Sequence, residues 1–412
     1  MNQRWVPRIL LVFLIVLGLR LWQIGCILPS NKQFDFSNQI NPDKKYTVLL
    51  WDFDRPLPAG ASYREELQRE IQAFNKSYPN IRVELRLFRW DQEEEVIAAI
   101  KRHQDLPDVL ATGPLTDLAF ADEILLSDSY LAPEDKREYV PLALASIALG
   151  PDIAVWPRYL APQLYLANRD YLQAAGLATE TRQQEGLAWE DFLALGEKLY
   201  QLPQQPFVLA SFDYQGLLAA VAPRQLDKVG ESLISWPASV APEAVKRVQE
   251  LYQRGYLPPT VCQEGYLGLQ DFFSGRAALL TPAEPWLLRM VSERTDRLQR
   301  GLLAYEDAKS FPVVLVPPRL TPTSGLPVRT EGLVVFKRRA ADEIKAAAMV
   351  ASYLSKSGTL PAQLDLLPAY RPAQEAWSQA WRWGNESVLL TILEHPIALM
   401  PYPYTELEGK DA

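Results

Sequence analysis

Short apolar runs alternate with amphipathic stretches along the first part of the chain. Residues 46–51 and 108–112 are apolar runs typical of buried parallel strands, and residues 81–88 alternate with the period of a strand. Between these runs, residues 62–75 and 92–102 repeat apolar side chains at the spacing of an amphipathic helix. The order strand, helix, strand, helix, strand predicts a doubly wound α/β unit.

The same alternation continues to the end of the chain, without an internal repeat or a low-complexity tract. The predicted strands cover residues 163–167, 207–211, 277–280 and 313–316, and the predicted helices cover residues 169–175, 189–200, 242–254, 285–297 and 340–355.

A basic and apolar segment at the N-terminus predicts export. Arg4 and Arg8 precede an apolar run over residues 9–19, which is the layout of a secretory signal, and the positive charges stay inside. The following Gly25-Cys26 resembles a bacterial lipobox. Three forms remain open: lipidation of Cys26, an uncleaved anchor helix over residues 9–28, or a cleaved and secreted form. We expect the lipidated form, on the outer face of the bacterial cytoplasmic membrane.

Charge and residue counts exclude several classes of function. The 412 residues carry a net charge of −8, and three arginines without an acid in the first 25 residues leave −11 on the remainder. A body that acidic is a poor partner for nucleic acid. Two histidines, far apart, exclude most histidine-based triads and metal sites. No P-loop, Rossmann glycine fingerprint, Cys-x-x-Cys or calcium-loop pattern appears either, so we expect no metal and no cofactor. Cys262 is the only cysteine besides Cys26, so we expect no internal disulfide.

Eight stretches of the chain follow one another in an order that resembles a known family. Residues 67–83 (LQREIQAFNKSYPNIRV) are similar to its first helix and next strand almost residue for residue. Residues 155–177 are similar to its proline-containing hinge strand and the following turn and helix. The other matching stretches are residues 49–51, 106–109, 189–192, 273–278, 284–286 and 367–369. From about residue 44 to 375, the chain resembles the extracellular solute-binding proteins of ABC importers, in their maltose-binding-like, sugar-binding group.

The resemblance implies an α/β, two-lobed periplasmic-binding-protein fold of a type II-like kind. Each lobe would be a sheet flanked by helices, and strands crossing between the lobes would leave a ligand cleft. An N-terminal signal or anchor segment would precede the lobes. The implied division is residues 1–25 for the signal or anchor, 26–43 for a tether, 44–151 plus 317–366 for lobe one, 152–316 plus 367–404 for lobe two, and 405–412 for a tail.

The same resemblance implies a binding protein and no enzyme. Such a membrane-tethered, extracytoplasmic monomer would capture a carbohydrate, most simply an oligosaccharide, and deliver it to the subunits of an ABC permease. Two alternatives stay open from the residues themselves. A tethered binding protein can serve a sensor or a cell-wall system instead, and an extracellular glycoside hydrolase also combines aromatic residues with paired carboxylates.

The candidate ligand-binding residues are aromatic and polar side chains expected near strand ends and crossings. A pyranose ring offers an apolar face to an aromatic platform and hydroxyl groups to acids or arginine. The chain has 11 tryptophans and 18 tyrosines for such platforms. At 150–157 and at Glu284 the chain departs from the family pattern, both at the expected cleft. The expected ligand-binding residues are Trp51, Asp52, Arg158, Tyr159, Asp213, Tyr214, Glu284, Trp286, Glu331 and Arg371.

Overall fold

The first strand and the first helix form where the apolar pattern predicts them. Strand β1 (Tyr46–Phe53) is buried along most of its length, and helix α1 (Tyr63–Ser77) follows it. The side chain of Ser62 accepts a hydrogen bond from the Glu65 amide and caps the helix N-terminus. The apolar face of α1 at i, i+4 and i+7 turns inward and buries Leu67, Ile71 and Phe74.

The protein is represented by a computed structural model. The structure describes residues 40–55, 57, 61–102, 106–112, 123–127, 130–145, 148–149, 152–211, 240–259, 261, 268–283, 285–302, 310–319, 326–337, 339–384, 386–394 and 399–401.

The other predicted elements are present with small shifts at their ends. The described strands after β1 are β2 (Ile81–Phe88), β3 (Val109–Thr112), β4 (Ala148–Leu149), β5 (Asp152–Ile153), β6 (Trp156–Pro162), β7 (Leu164–Asn168), β8 (Phe207–Leu209), β9 (Ala277–Ala283), β10 (Val313–Val316), β11 (Leu326–Val335), β12 (Leu367–Pro368) and β13 (Leu399–Pro401). The described helices after α1 are α2 (Glu93–Lys101), α3 (Pro133–Glu138), α4 (Pro141–Ala145), α5 (Arg169–Ala174), α6 (Thr179–Glu185), α7 (Trp189–Tyr200), α8 (Val240–Gln253), α9 (Leu269–Phe273), α10 (Trp286–Gln299), α11 (Ala341–Leu354), α12 (Thr359–Gln363), α13 (Gln374–Ala380) and α14 (Glu386–Glu394).

The strands form two main sheets. In the larger sheet the strand order is β12-β6-β11-β3-β1-β2, and β13 pairs with β11. Strand β1 runs parallel to β2 and β3, while β11 runs antiparallel to β3 and β6. The smaller sheet has the order β10-β7-β9-β8, and β4 and β5 form a separate pair. This two-sheet, mixed α/β architecture agrees with the predicted fold class.

The chain passes between the two sheets at short connections. Strand β6 ends at Pro162 in the larger sheet, and β7 begins at Leu164 in the smaller one. Further on, β10 of the smaller sheet ends at Val316, and β11 of the larger sheet begins ten residues later at Leu326. Proline residues flank both connections, which limits the backbone angles there.

The strand pairing differs from the predicted lobe boundaries in two places. The predicted lobe two includes residues 156–162 and 367–368, whereas β6 and β12 pair in the larger sheet. All seven residues of β6 are buried, and the strand pairs with β11 along most of its length and with β12 at Tyr159 and Leu160. The first connection therefore lies at Gln163 rather than near residue 152. The division into two lobes otherwise stays a prediction.

The helices cover the sheets and bury an extensive apolar core. Helix α11 packs on β1, β3 and β11, and helix α1 packs on β2. Helices α12 and α13 pack on β12 at the edge of the larger sheet. Across the part of the chain that the structure describes, no helix combines the length and apolar character needed to cross a membrane.

Candidate functional site

A buried polar cluster lies at the carboxyl end of β1. Arg158 donates a hydrogen bond from Nη1 to Oδ2 of Asp52 at 2.9 Å, and the Tyr63 hydroxyl donates to the same oxygen at 2.7 Å. Asp52 is 0% exposed and Arg158 is 2% exposed. Charged groups this deep are normally paired, and here strand β1, helix α1 and strand β6 each supply one member.

The alternation of β1 explains why Asp52 faces this cluster. Val48 and Leu50 lie on the side of β1 that packs in the same core cluster as Tyr63 of α1, whereas Trp51 and Phe53 belong to another core cluster. Asp52 is two residues beyond Leu50 and therefore points to the same side. Its second oxygen, Oδ1, accepts a hydrogen bond from the Phe53 amide at 2.7 Å.

A second carboxylate, Glu331 on β11, binds two arginines. Arg55 donates from Nη2 to Oε2 of Glu331, and Arg329 donates from Nη1 to Oε1. Burial alone raises the pKa of Glu331, but the charges of Arg55 and Arg329 outweigh it and hold that pKa below its ordinary value. The arginine side chains are 12% and 25% exposed against 3% for Glu331, so the cations lie nearer to solvent than the carboxylate.

A glycine brings Glu331 opposite β6. Glu331 pairs with Tyr159 across the β6–β11 ladder, and the register shifts between Glu331 and Gly332. A Cβ atom on Gly332 would lie 2.3 Å from Val155 Cγ1 and 2.5 Å from the Trp156 carbonyl oxygen. Only glycine permits this close approach, so the local bend that places Glu331 depends on it.

The ring of Tyr159 contacts both the arginine that binds Asp52 and one of the arginines that bind Glu331. The guanidinium of Arg158 lies 4.7 Å from the ring centroid, and that of Arg55 lies 5.7 Å from it. Both distances are within the range of a cation–π contact. Burial raises the pKa of the Tyr159 hydroxyl well above its ordinary value. Four of the ten expected ligand-binding residues, Asp52, Arg158, Tyr159 and Glu331, therefore meet in this polar cluster.

Trp51 belongs to the core rather than to this cluster. Its side chain is 2% exposed and meets the Phe88 ring edge-on at a centroid distance of 5.0 Å. The guanidinium of Arg86 lies 5.1 Å from its ring. The strand also continues to Phe53, so Trp51 does not end it as the sequence predicted. In this conformation the indole has no face open to a ligand.

Trp286 and Arg371 lie apart from the cluster. Trp286 is the first residue of α10, directly after Pro285 and three residues after β9, as the sequence predicted. Its side chain is half-buried and packs against the main core. Arg371 starts a short 3₁₀ helix and donates from Nη1 to the Arg137 carbonyl oxygen at 3.2 Å. Asp213, Tyr214, Glu284 and Cys26 lie outside the described residues.

Sequence reasoning missed four members of the polar cluster. Tyr63, Glu70, Arg55 and Arg329 each bind or neighbour a charged group there. Glu70 lies on α1 two turns after Tyr63, and Arg158 is among the charges that act on it. Arg158 is the sequence feature that could have revealed the cluster, because an arginine within the buried run 156–162 requires a buried partner of opposite charge.

The cluster fixes side-chain orientation more readily than it performs chemistry. Both carboxylates hold guanidinium groups in place, and these in turn tie β1 to β6 and β11. Among the described residues, no group of three histidine, cysteine, aspartate or glutamate side chains has an arrangement that could hold a metal ion. The arrangement suits a rigid frame behind a binding surface.

Comparison of the chain with family models gives one match. The model for bacterial extracellular solute-binding proteins matches residues 60–286, which is more than half of the chain. A search of curated protein sequences finds no match.

Solved structures share the fold at low sequence identity. The sugar-binding protein MalE of Xanthomonas citri has a TM-score of 0.65 at 17% identity, and the match covers 87% of each chain. The GacH receptor of Streptomyces glaucescens, solved unliganded and with acarbose, has a TM-score of 0.59 at 18% identity, over 87% of this chain and 88% of that one. The cyclic α-maltosyl-1,6-maltose binding protein of Arthrobacter globiformis has a TM-score of 0.61 at 15% identity, over 88% and 90%.

Proposed function

The chain belongs to the bacterial extracellular solute-binding proteins, and on that basis we propose that it captures a carbohydrate and delivers it to an ABC permease. The observation that carries the proposal is the kind of ligand named for the proteins that share this fold. One is a sugar-binding protein, one was solved with acarbose and one is a cyclic α-maltosyl-1,6-maltose binding protein, and the matches extend over 87–88% of this chain. An oligosaccharide is therefore the proposed ligand.

The two-sheet architecture supports capture by closure around a ligand. Two connections join the sheets, one at Gln163 and one between β10 and β11. A ligand that contacts both sides of a cleft stabilises the closed form, because those contacts exist together only when the cleft is shut. No bond in the ligand needs to change, so we propose binding without catalysis.

We propose two roles for the ten candidate residues. Trp286, Asp213, Tyr214 and Glu284 would contact the sugar, with the half-buried indole of Trp286 as a stacking platform. The buried Asp52, Arg158, Tyr159 and Glu331 would hold the strands that lead into the connections, together with Trp51 in the core. Arg371 would fix the segment after β12 through the Arg137 carbonyl.

The extracellular family agrees with a location outside the cytoplasm. The finer proposal is a monomer tethered to the outer face of the cytoplasmic membrane through a lipid on Cys26. The basic residues and the apolar run before Cys26 support it, since this layout is typical of an export signal.

A binding experiment with product analysis tests the proposed function. The purified full chain in detergent is screened by thermal shift against a panel of maltose-type and other oligosaccharides. A ligand at about 100 times its dissociation constant should stabilise the folded state by roughly 2.7 kcal/mol. Chromatography of the same mixtures should return the sugar unchanged. Slow cleavage that one Asp or Glu substitution abolishes would favour the glycoside hydrolase, and a panel without a single stabilising sugar would remove the carbohydrate proposal.

A further inference from the structure

A cavity of about 680 Å³ lies against helix α1 and shares Glu70 with the polar cluster. One wall is formed by residues of α1 at i, i+3, i+4 and i+7, beginning at Glu66. The facing wall is formed by the end of α11, the connection that follows it, α12 and Ala376 of α13. Its volume is in the range of sites for small organic molecules. Every lining residue is on, or directly follows, an element that packs on the larger sheet or on its edge strand β12. The cavity is therefore distinct from a cleft between the two sheets.

The cations at this cavity are already paired. Arg69 binds Glu66 on the same helix, and Lys356 binds Asp135 with an Nζ–Oδ2 distance of 2.7 Å. Glu70 is the remaining charged group of the lining. One of its oxygens, Oε1, accepts a hydrogen bond from the Ser357 hydroxyl. With Glu70 ionised, the lining and its paired partners carry one surplus negative charge.

Two buried oxygen atoms of the lining accept no hydrogen bond from any described residue. They are Oε2 of Glu70 and Oε1 of Gln363. Among the described lining residues, both unpaired buried atoms are acceptors, so a matching ligand has to bring N–H or O–H donors. Burial raises the pKa of Glu70, although Arg158 and the Ser357 hydroxyl oppose this rise, and a cation beside it would favour the ionised form.

Most of the other lining residues are apolar, and Thr359 is the polar exception. Ala73, Leu360 and Ala376 line the cavity together with the ring of Tyr353. A ligand body of alkyl or ring character would lie against them while its charged end approached Glu70. We propose that this cavity is a second binding site, and that it takes a small organic ammonium compound. Glu70 and Gln363 accept its N–H groups, and the apolar wall holds its hydrocarbon part.

Calorimetric titration of the full chain in detergent tests the proposal with defined probes. Cyclohexylamine and benzylamine are compared at mildly alkaline pH with cyclohexanol and benzyl alcohol, which have similar shapes and no charge. The amines should bind at least about tenfold more tightly than the alcohols, because an ammonium group forms an ion-paired hydrogen bond with Glu70 and an uncharged hydroxyl cannot. Equal binding of amine and alcohol would overturn the ammonium assignment, and no amine binding would overturn the site.

Three variants locate the binding. Glu70→Gln keeps the shape and removes the charge, and Ala73→Leu narrows the cavity from an exposed helix position that tolerates a larger side chain. Each should weaken amine binding about tenfold or more. Glu65→Gln removes the same charge from an exposed position of α1 outside the lining and should leave binding unchanged. Amine binding that survives both Glu70→Gln and Ala73→Leu, or that falls equally in Glu65→Gln, would contradict the proposal.

Discussion

Arg158 and Asp52 form an ion pair that joins two strands of the larger sheet across 106 positions of sequence. Their side chains are 3% and 0% exposed, and the hydrogen bond between Nη1 and Oδ2 is 2.9 Å long. Strand β6, which carries Arg158, leads at its end into the smaller sheet. The pair therefore holds in place the strand that leads into the first connection between the sheets. Its loss should lower the free energy of unfolding.

Removing one member of this pair should be costly. Asp52→Asn leaves the Arg158 charge buried without its counter-charge, so the free energy of unfolding should fall by about 3–5 kcal/mol. The double variant Asp52→Asn with Arg158→Met removes both charges and should lose less than the sum of the two single variants. Urea unfolding measures all three.

An exposed pair supplies the control for that experiment. Asp296 lies in the last turn of α10 and Arg300 directly follows the helix, with side chains 50% and 68% exposed. Asp296→Asn should change the free energy of unfolding by less than about 1 kcal/mol. Similar losses at Asp52 and Asp296 would mean that burial does not set the strength of the Asp52–Arg158 pair.

Glu331 should make stability depend on acid pH. Its folded-state pKa is lowered by Arg55 and Arg329, so its contribution is complete above the unfolded pKa and disappears as the pH falls through the folded pKa. The gap in unfolding free energy between the protein and Glu331→Gln should be widest near neutral pH and should narrow below roughly pH 4. Urea unfolding across a pH series checks this, and a gap that widens in acid would contradict it.

The order of elements could be predicted from local pattern, whereas the pairing of buried charges could not. Helix α1 follows from Leu67, Ile71 and Phe74 at helical spacing, and the structure confirms it. Asp52 and Arg158 meet through the order of strands in the sheet, and no local spacing encodes that order. The partner of each buried charge depends on how distant segments pack together. The sequence alone therefore does not identify Tyr63 as a partner of Asp52.

Strand β1 illustrates why a binding tryptophan and a core tryptophan look alike in sequence. Leu50, Trp51, Asp52 and Phe53 are all buried, because helices cover both faces of the parallel part of the sheet. The period-two signal that would separate an open face from a packed one is therefore absent. The sequence places Trp51 at a strand end, where a cleft residue is expected, whereas its burial and its packing on Phe88 place it in the core.

Cys26→Ser should block processing of the N-terminal segment. If Cys26 is lipidated and becomes the first residue of the mature protein, the variant accumulates as a larger precursor without the lipid. Immunoblotting of cell membranes and labelling with palmitate measure both properties. A wild-type protein that is equally large and unlabelled would replace the lipid anchor by an uncleaved helix.

Trp286→Ala should separate ligand binding from folding. Trp286 is half-buried at the start of α10, where the following Leu287 and Leu288 carry the buried contacts of that turn. A sugar ring stacked on the indole removes apolar surface from water and gains aromatic contact, and the two effects together contribute about 1–3 kcal/mol to binding. Affinity for the sugar should therefore fall by roughly 5- to 150-fold, with a small change in the free energy of unfolding.

Trp377→Ala is the control for Trp286→Ala, because it should reduce folding stability and leave sugar affinity nearly unchanged. Trp377 is fully buried, stacks on Trp381 at a centroid distance of 5.0 Å, and donates from Nε1 to the Leu366 carbonyl oxygen. Its truncation should cost about 3–5 kcal/mol in folding. Sugar affinity, measured under conditions where this variant stays folded, should change little. If Trp286→Ala behaves like Trp377→Ala, with a large loss of stability and unchanged affinity, Trp286 is a core residue and the stacking platform lies elsewhere.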